Sequence, residues 1–436
     1  MKAPLSQFQL KSIAAEADSI ERSFHSRGIW NRWCATPLYI RILAALVTGV
    51  LLGAFASSSV DALALPSRLI MRLLLAVAPA LVLFAILRCL LGEEIKRTEI
   101  WSILRLVFAN TSVALFITLA VSNALQPGRW SVPLVLHGES ADPSGPRPGL
   151  VAQFFDTNIP SSLLGPFVDG RIIGAVMVAV GLAVAAYPLR SLPLRNLFEI
   201  ANAGYEVTAR MMGWIIELVP FAVLGFAATM LGRSGFQYVK ASGAFLVTLV
   251  VVVSLLWCYY FLRLRCQTTV RPSQLLGTCK DAIAMAFATA STTATMPTTY
   301  VCLTQRLGVA PKAASLGSQI ATCFSNSGTL CFEGLAVLFV GQMLGRNFGI
   351  GEQILVAMTA AVAAFGAQGI TGAGFLSLSL VFSAVNLPLE YASLLLIVDP
   401  IADRIRTATN VGEDLMVSCL LDPKLTSNGK EAAMIT

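Results

Sequence analysis

Long apolar runs dominate the first 270 residues of this 436-residue chain. Several reach the ~20 residues that an α-helix needs to cross a bilayer. Short polar or basic linkers separate them, and this pattern predicts a series of transmembrane helices. The runs lie at about 38–58, 67–91, 101–125, 172–188, 200–232 and 241–263.

The pattern changes after residue 271, where two apolar segments are each broken midway by small polar residues. The first segment, 274–305, is broken by "TASTTATMP", and the second, 351–386, is broken by "GAQGITGAG". Backbone groups freed at bilayer depth must be satisfied by protein or water, so matched breaks in two halves point to the binding site of a transporter. Two ordinary kinked helices are the alternative.

Each broken segment is followed by a long helix with its own polar interruption. These interruptions are "FSNSGTLCFEG" at 324–334 and "DPIADRIRTATNVGED" at 399–414. The basic residues near the start place the N-terminus in the cytosol. When the crossings are counted from there, the first broken segment enters from the cytosol and the second from outside. We therefore predict two re-entrant helical hairpins that form an inverted repeat.

Composition narrows the class of protein further. The chain is 56% hydrophobic and 13% charged, whereas soluble domains are about 45–50% apolar and about 25% charged. The net charge of +7 comes from basic residues spread between apolar runs, which indicates membrane topology and no nucleic-acid partner. Nine scattered cysteines and two histidines lack the spacing of a metal or iron–sulfur centre, so we expect no cofactor. The pattern predicts an all-α polytopic membrane protein.

The charged segment 399–414 is the main candidate site. On a helix, its polar side chains fall largely on one face, and we expect Arg404 and Glu413 to lie off that face. Four charges facing lipid would cost roughly 10–14 kcal/mol, so the face must meet a polar interior. A purely structural salt-bridge network is the alternative. The stripe consists of Asp399, Asp403, Arg406, Thr407, Asn410 and Asp414.

The chemistry of this stripe fits a molecule with two carboxylates and an amine. The planar guanidinium of Arg406 suits a carboxylate. Asp403 can accept hydrogen bonds from an ammonium group, and Asn410 can both donate to and accept from an α-carboxylate region. Asp414 can complete the coordination of a small cation. An acidic amino acid has this combination of groups.

The motifs resemble those of the dicarboxylate/amino acid:cation symporters, the glutamate transporter homologues. "DPIADRIRTATNVGED" is similar to their last helix, and "STTATMP" and "GITGAG" to their two hairpin tips, within a resemblance that covers about 38–422. It implies eight transmembrane helices plus two re-entrant hairpins, a homotrimer in the lipid of the cell inner or plasma membrane, and elevator-type alternating access. Both termini would be cytosolic.

The resemblance also implies a division of the chain. Residues 1–36 would be a cytosolic N-terminal segment. Residues 37–271 would be mainly scaffold and trimerisation helices, with a long extracellular loop near 126–170. The transport core would be 272–422, and 423–436 would be a cytosolic tail.

Site residues are carried over from the resemblance by matching position. Asp403 and Thr407 would bind the substrate amine, and Asn410 the α-carboxylate region. Arg406, with Thr329, would bind the side-chain carboxylate, while Asp399 would be a structural charge partner. The hairpin tips would contribute Ser291, Thr292, Ile370 and Gly374. The presence of both Asp403 and Arg406 favours glutamate or aspartate as substrate.

The coupling ion is less clearly indicated, because this chain departs from the family pattern. An asparagine and an aspartate that serve sodium in the family are replaced by Ser325 and Ser327. Glu333 matches a position where some members have a proton-carrying glutamate, and a carboxyl in an apolar setting suits that role. We favour protons, with sodium as the alternative. The remaining candidate sodium ligands are Asn110, Thr111, Asn410 and Asp414.

The sequence thus predicts a secondary active transporter that imports glutamate or aspartate with a coupled cation. We do not expect an enzyme, because the two histidines lie outside the membrane core and no Ser-His-Asp set can form there. The alternatives are a sodium-coupled carrier of other dicarboxylates or of neutral amino acids, and a channel or receptor.

Overall fold

The computed structural model describes most of the membrane region of the chain. The segment 1–35, the loop at 131–158, the second break at 367–374 and the tail at 427–436 lie outside the described residues, so the predictions for them stay untested. The described residues are 36–130 with gaps at 37, 56–59 and 92–96, 159–234 with gaps at 170–171 and 187–194, 237–366 with gaps at 321 and 323–324, scattered positions within 377–395, and 398–426.

The first half of the described chain is helical nearly throughout, which confirms the all-α prediction there. The bounds follow the predicted apolar runs closely. The helices are α1 (Leu38–Phe55), α2 (Val60–Leu91), α3 (Arg97–Leu125), α4 (Gly165–Val168), α5 (Ile172–Ala186), α6 (Arg195–Ile216), α7 (Val219–Ser234) and α8 (Gln237–Gln267).

Three stretches of the described chain are long and apolar enough to cross a membrane, namely Trp101–Arg129, Asn196–Thr229 and Lys240–Gln267. Shorter apolar helices, such as Ser327–Met343 and Ile350–Ala361, accompany them. A chain with several such helices is a membrane protein. The full number of crossings and the re-entrant course of the hairpins stay predictions.

The first predicted break is a real interruption of helical structure. Helix α9 (Pro272–Thr289) ends at Ala290, whose φ of 50° lies in the left-handed region. Ser291 then starts α10 (Thr292–Val301), and its hydroxyl oxygen accepts a hydrogen bond from the Ala294 amide nitrogen at 3.2 Å. Serine is a favoured N-cap residue because it satisfies an amide that the first helical turn leaves free. Helices α9 and α10 pack against each other.

The later helices include the one that contains the charged segment. They are α11 (Pro311–Ser315), α12 (Ser327–Met343), α13 (Ile350–Gly366) and α14 (Asp399–Leu421). Helix α14 packs against α8, α9, α10 and α12. The ring of Phe245 on α8 meets Phe332 and Phe339 of α12 edge-on, with centroids 5.4 and 5.3 Å apart. Aromatic packing therefore joins the neighbours of α14 to one another.

The early helices form contacts mainly among themselves. Helix α7 packs against α1 and α2, and α2 packs against α5 and α6. Helices α3 and α8 differ, because they contact α12 and α14. Both helices lie within 37–271, which was predicted to be mainly scaffold. This range therefore contributes two of the helices that pack against the charged segment.

Close helix packing between α1 and α7 depends on two glycines. Gly49 and Gly53 are four residues apart, a spacing that lets membrane helices approach closely. A Cβ atom at Gly53 would lie 2.4 Å from the carbonyl oxygen of Ala228, and one at Gly49 would lie 2.5 Å from that of Leu224. Both obstacles are backbone atoms, which cannot rotate away.

We expect Gly53→Ala to destabilise the protein by about 1–3 kcal/mol, because the new methyl group forces α1 and α7 apart. Gly213→Ala is the matched control, since nothing lies within 4 Å of a Cβ placed there. Thermal unfolding of the purified protein, followed by circular dichroism, measures both variants. Equal melting temperatures for the two would contradict the close packing.

Candidate functional site

Arg406 is the centre of the buried charge on α14. It is 1% exposed. Its Nη2 atom donates to Asp403 Oδ1 at 2.8 Å and to Asp399 Oδ1 at 3.0 Å. Asp403 precedes Arg406 by three residues, about one helical turn, and Asp399 precedes it by seven, about two turns, so both reach the same guanidinium nitrogen. Thr407, also buried, donates through its hydroxyl to the backbone carbonyl of Asp403 at 2.8 Å.

The rest of the Arg406 guanidinium has unused donors. The group lies over the Phe332 ring, with Cζ 4.1 Å from the centroid. Its Nε and Nη1 atoms are buried and have no hydrogen-bond partner among the described residues. Because buried polar groups are normally paired, unused donors on a buried cation suggest that a ligand completes the site.

Asn410 uses both ends of its amide to fix the start of α12. Its Oδ1 accepts from the Gly328 amide at 2.8 Å, while its Nδ2 donates to Asn326 Oδ1 at 3.2 Å and to Thr329 Oγ1 at 3.1 Å. Gly328 permits this approach, since a Cβ there would lie 2.6 Å from the Arg406 carbonyl oxygen. Asn410 and Thr329, both predicted substrate ligands, are therefore in direct contact.

Glu413 is the site residue that sequence reasoning missed, and the expectation that it lies off the buried face is wrong. It is completely buried, and its Oε1 accepts from Asn110 Nδ2 at 2.7 Å and its Oε2 from the Ser327 amide at 3.1 Å. It follows Arg406 by seven residues, close to two full turns of 3.6 residues each. That spacing was the signal, and it places Glu413 on the same side of α14. Arg404, in contrast, is only partly buried.

Glu333 lies one position after the phenylalanine that contacts Arg406. It is completely buried, and neither of its carboxyl oxygens has a hydrogen-bond partner within the described part of the chain. The Ser377 hydroxyl and the Arg406 guanidinium both lie near its carboxyl group. The two predicted roles, substrate binding at Arg406 and proton carriage at Glu333, thus belong to neighbouring groups.

The predicted cation ligands differ in whether their side-chain oxygens already accept hydrogen bonds. Asp414 is buried, and its Oδ1 atom has no hydrogen-bond partner among the described residues. The hydroxyls of Ser325 and Ser327 are likewise buried and unpartnered there. Asn110 differs, because its side-chain oxygen already accepts from Arg263 Nη1 and Tyr259 OH. The remaining candidate, Thr111, is half-buried on α3.

The hairpin-tip residues are placed only in part. Thr292 is buried and Ser291 half-buried at the start of α10, which packs against α14. Ile370 and Gly374 lie outside the described residues. The structure therefore brings one predicted tip beside α14 and gives no position for the other.

Most of the chain is similar in sequence to known membrane transport proteins. Residues 38–423 match the sodium:dicarboxylate symporter family. The chain is 29% identical to excitatory amino acid transporter 4 of Mus musculus, over 61% of this chain and 47% of that protein. It thus spans about half the length of that animal relative.

Bacterial relatives match over more of their length. The chain is 26% identical to the C4-dicarboxylate transport protein of Rhizobium johnstonii, over 92% of this chain and 90% of that protein. It is also 26% identical to that of Bordetella avium, over 86% and 85%. The family match runs from the first helix to the end of the charged one. The chain therefore belongs to the sodium:dicarboxylate symporter family, whose members are transporters and not enzymes.

Proposed function

We propose that this protein imports an acidic amino acid, glutamate or aspartate, together with a coupled cation. The observation that carries the proposal is Arg406, a buried cation that shares one nitrogen with two aspartates and has two unused donor atoms. Leaving a buried donor unsatisfied costs roughly 1–3 kcal/mol. A substrate carboxylate that accepts from Nη1 or Nε removes that cost and makes a charge-assisted hydrogen bond.

The charges around Arg406 favour a substrate that also has an amine. The guanidinium contributes one positive charge, and Asp399 and Asp403 contribute two negative ones. Arg404 donates to the backbone carbonyl of Pro400, and its charge acts on Asp399 more weakly than that of Arg406 does. An ammonium group placed at Asp403 balances the second carboxylate. A dicarboxylate without an amine leaves that carboxylate unmatched and adds its own charge.

A second candidate substrate class is the C4-dicarboxylates. The bacterial relatives that match most of this chain are named as carriers of them. They share with acidic amino acids the carboxylate that Arg406 would bind. The two classes differ in the amine, so Asp403 distinguishes them.

For the driving ion we favour protons. Glu333 supports this choice, because a completely buried carboxyl that forms no salt bridge among the described residues suits a reversible proton carrier. It also lies beside Arg406, so its charge affects the substrate site directly. Sodium is the alternative. The family name and the unpartnered buried oxygens of Asp414 and Ser325 support it.

The proposed mechanism is an elevator movement within a homotrimer of the inner or plasma membrane, with both termini cytosolic. The transport core would be 272–422, and 37–271 would hold mainly the scaffold. Because α3 and α8 contact α12 and α14, we place these two helices with the moving part. A channel or receptor is the weaker alternative, since a closed cluster of paired charges suits occlusion of a substrate and not a continuous pore.

Arg406→Cys should reduce glutamate and aspartate uptake into proteoliposomes by roughly a hundredfold or more, because it leaves a substrate charge unpaired in a buried site. Neutral amino acids such as serine should become better substrates. Arg306→Cys is the control, since Arg306 forms an exposed ion pair with Asp281. Unchanged glutamate affinity in Arg406→Cys would refute the assignment.

Asp403→Asn should weaken aspartate uptake about ten- to a hundredfold more than succinate uptake, because only aspartate has an amine for this carboxylate to bind. Asp399→Asn removes the other carboxylate on Arg406 Nη2 and serves as the matched control. It should affect both substrates alike. Competition assays with the two substrates measure the ratio. Equal losses in Asp403→Asn would mean that Asp403 is only a structural partner of the arginine.

Glu333→Gln should abolish uptake driven by an inward proton gradient in sodium-free buffer, because the amide cannot exchange a proton. Substrate exchange, which needs no net proton movement, should continue. Glu206→Gln, at a side chain that is 65% exposed, is the control and should transport normally. If uptake requires sodium and its rate is unchanged in Glu333→Gln, the coupling ion is sodium.

A further inference from the structure

A second buried polar pocket lies two turns along α14 from Arg406, around Glu413. Its carboxylate is completely buried and accepts from Asn110 Nδ2 and from the Ser327 amide at the start of α12. The Tyr260 hydroxyl lies near the Glu413 carboxylate and the Ser327 hydroxyl, but it has no hydrogen-bond partner among the described residues. Among the described residues, no ion pair joins Glu413 directly to a cation.

The cation nearest along the hydrogen-bond network is Arg263, which is connected to Glu413 through the side chain of Asn110. Arg263 on α8 donates through Nη1 to the side-chain oxygen of Asn110, and to the Tyr259 hydroxyl at 3.2 Å. Its Cζ lies 5.9 Å from the centroid of the Tyr259 ring. Asn110 therefore links a guanidinium on one side to a carboxylate on the other, with its amide fixed in orientation by both.

We propose that Arg263 is the built-in counter-cation of the Glu413 pocket, and that it occupies the place a coupling cation would otherwise take there. The inference rests on the proposed function only in assuming that the protein couples transport to a cation. It removes Asn110 from the sodium ligands predicted from the sequence, because the oxygen that would bind the ion already binds a guanidinium. The coupling cation must then act elsewhere, at Glu333 or at Asp414.

The oxygen atoms around Glu413 are of the kind that bind a small cation, and we infer that the Arg263 guanidinium takes the place of that cation. A buried carboxylate needs a nearby positive charge or it is strongly destabilising. Asn110 now presents its Nδ2 to the Glu413 carboxylate and its oxygen to Arg263. Without Arg263, the amide could turn its oxygen toward Glu413, and the two would line one pocket. It would also hold the hydroxyls of Ser327 and Tyr260, which are buried and have no hydrogen-bond partner in the described part of the chain. Such oxygen ligands suit a small hard cation.

The test compares Arg263→Gln with Arg265→Gln, a matched control at an exposed arginine two positions along α8. The melting temperature of the purified full-length protein is measured in 100 mM sodium chloride and in choline chloride. Wild type and Arg265→Gln should show one common sodium effect. Arg263→Gln should melt lower in choline and show an additional sodium-dependent rise of about 2–4 °C or more, because ligand binding stabilises the folded state. A sodium effect identical to that of wild type would overturn the proposal.

The double variant Arg263→Gln/Glu413→Gln covers the case in which Arg263→Gln does not fold. With both charges removed, its melting temperature in choline should recover toward that of wild type, and the additional sodium effect should disappear. A double variant that fails as badly as Arg263→Gln would show that Arg263 is needed for packing alone. Because melting requires no transport, an error in the proposed substrate or driving ion leaves this result unaffected.

Discussion

A charge inside a membrane protein is stable only where other protein groups replace the water that it has lost. In this chain the buried charges are concentrated on α14, and side chains and amides of the neighbouring helices form the contacts that stabilise them. Arg406 is balanced by Asp399 and Asp403 and lies on the face of Phe332. Glu413, two turns away, is held by Asn110 and by the first amide of α12. These contacts determine which helices can lie beside α14.

The start of α12 contacts two of the buried polar side chains of α14. The first amides of a helix have no partner within the helix, and two of them, at Ser327 and Gly328, donate to Glu413 and Asn410 of α14. The positive end of the helix dipole also favours a carboxylate at this position. The absence of a side chain at Gly328 then allows the two helices to approach closely. This junction thus fixes α12 against the middle of α14. The rise of α14 itself sets Arg406 and Glu413 about 10 Å apart.

The separation of Arg406 and Glu413 along α14 places two acidic groups in different surroundings. Arg406 and Glu333 belong to one end of the buried face, while Glu413, Asn110 and Arg263 belong to the other. A cation at one end does not have to share ligands with a balanced charge network at the other. The carboxylate of Glu413 is held by Asn110 and the Ser327 amide, whereas that of Glu333 forms no salt bridge among the described residues. In the proposed proton-coupled mechanism, only Glu333 gains and loses a proton.

The sequence by itself determined the helical class, the positions of the helices and the break at Ser291, because these depend on local hydrophobic length and on capping chemistry. It also identified α14, since charges inside an apolar run need a polar interior wherever the helix packs. The tertiary structure decided which groups meet. Asn110 was predicted as an ion ligand, but whether its oxygen binds a cation or Arg263 depends on helices more than 150 residues apart. Glu413 could have been found from its seven-residue spacing to Arg406, yet its partners on α3 and α12 could not. Local sequence fixes the face a side chain occupies on its own helix, whereas the neighbours of that face are fixed only when distant helices pack together.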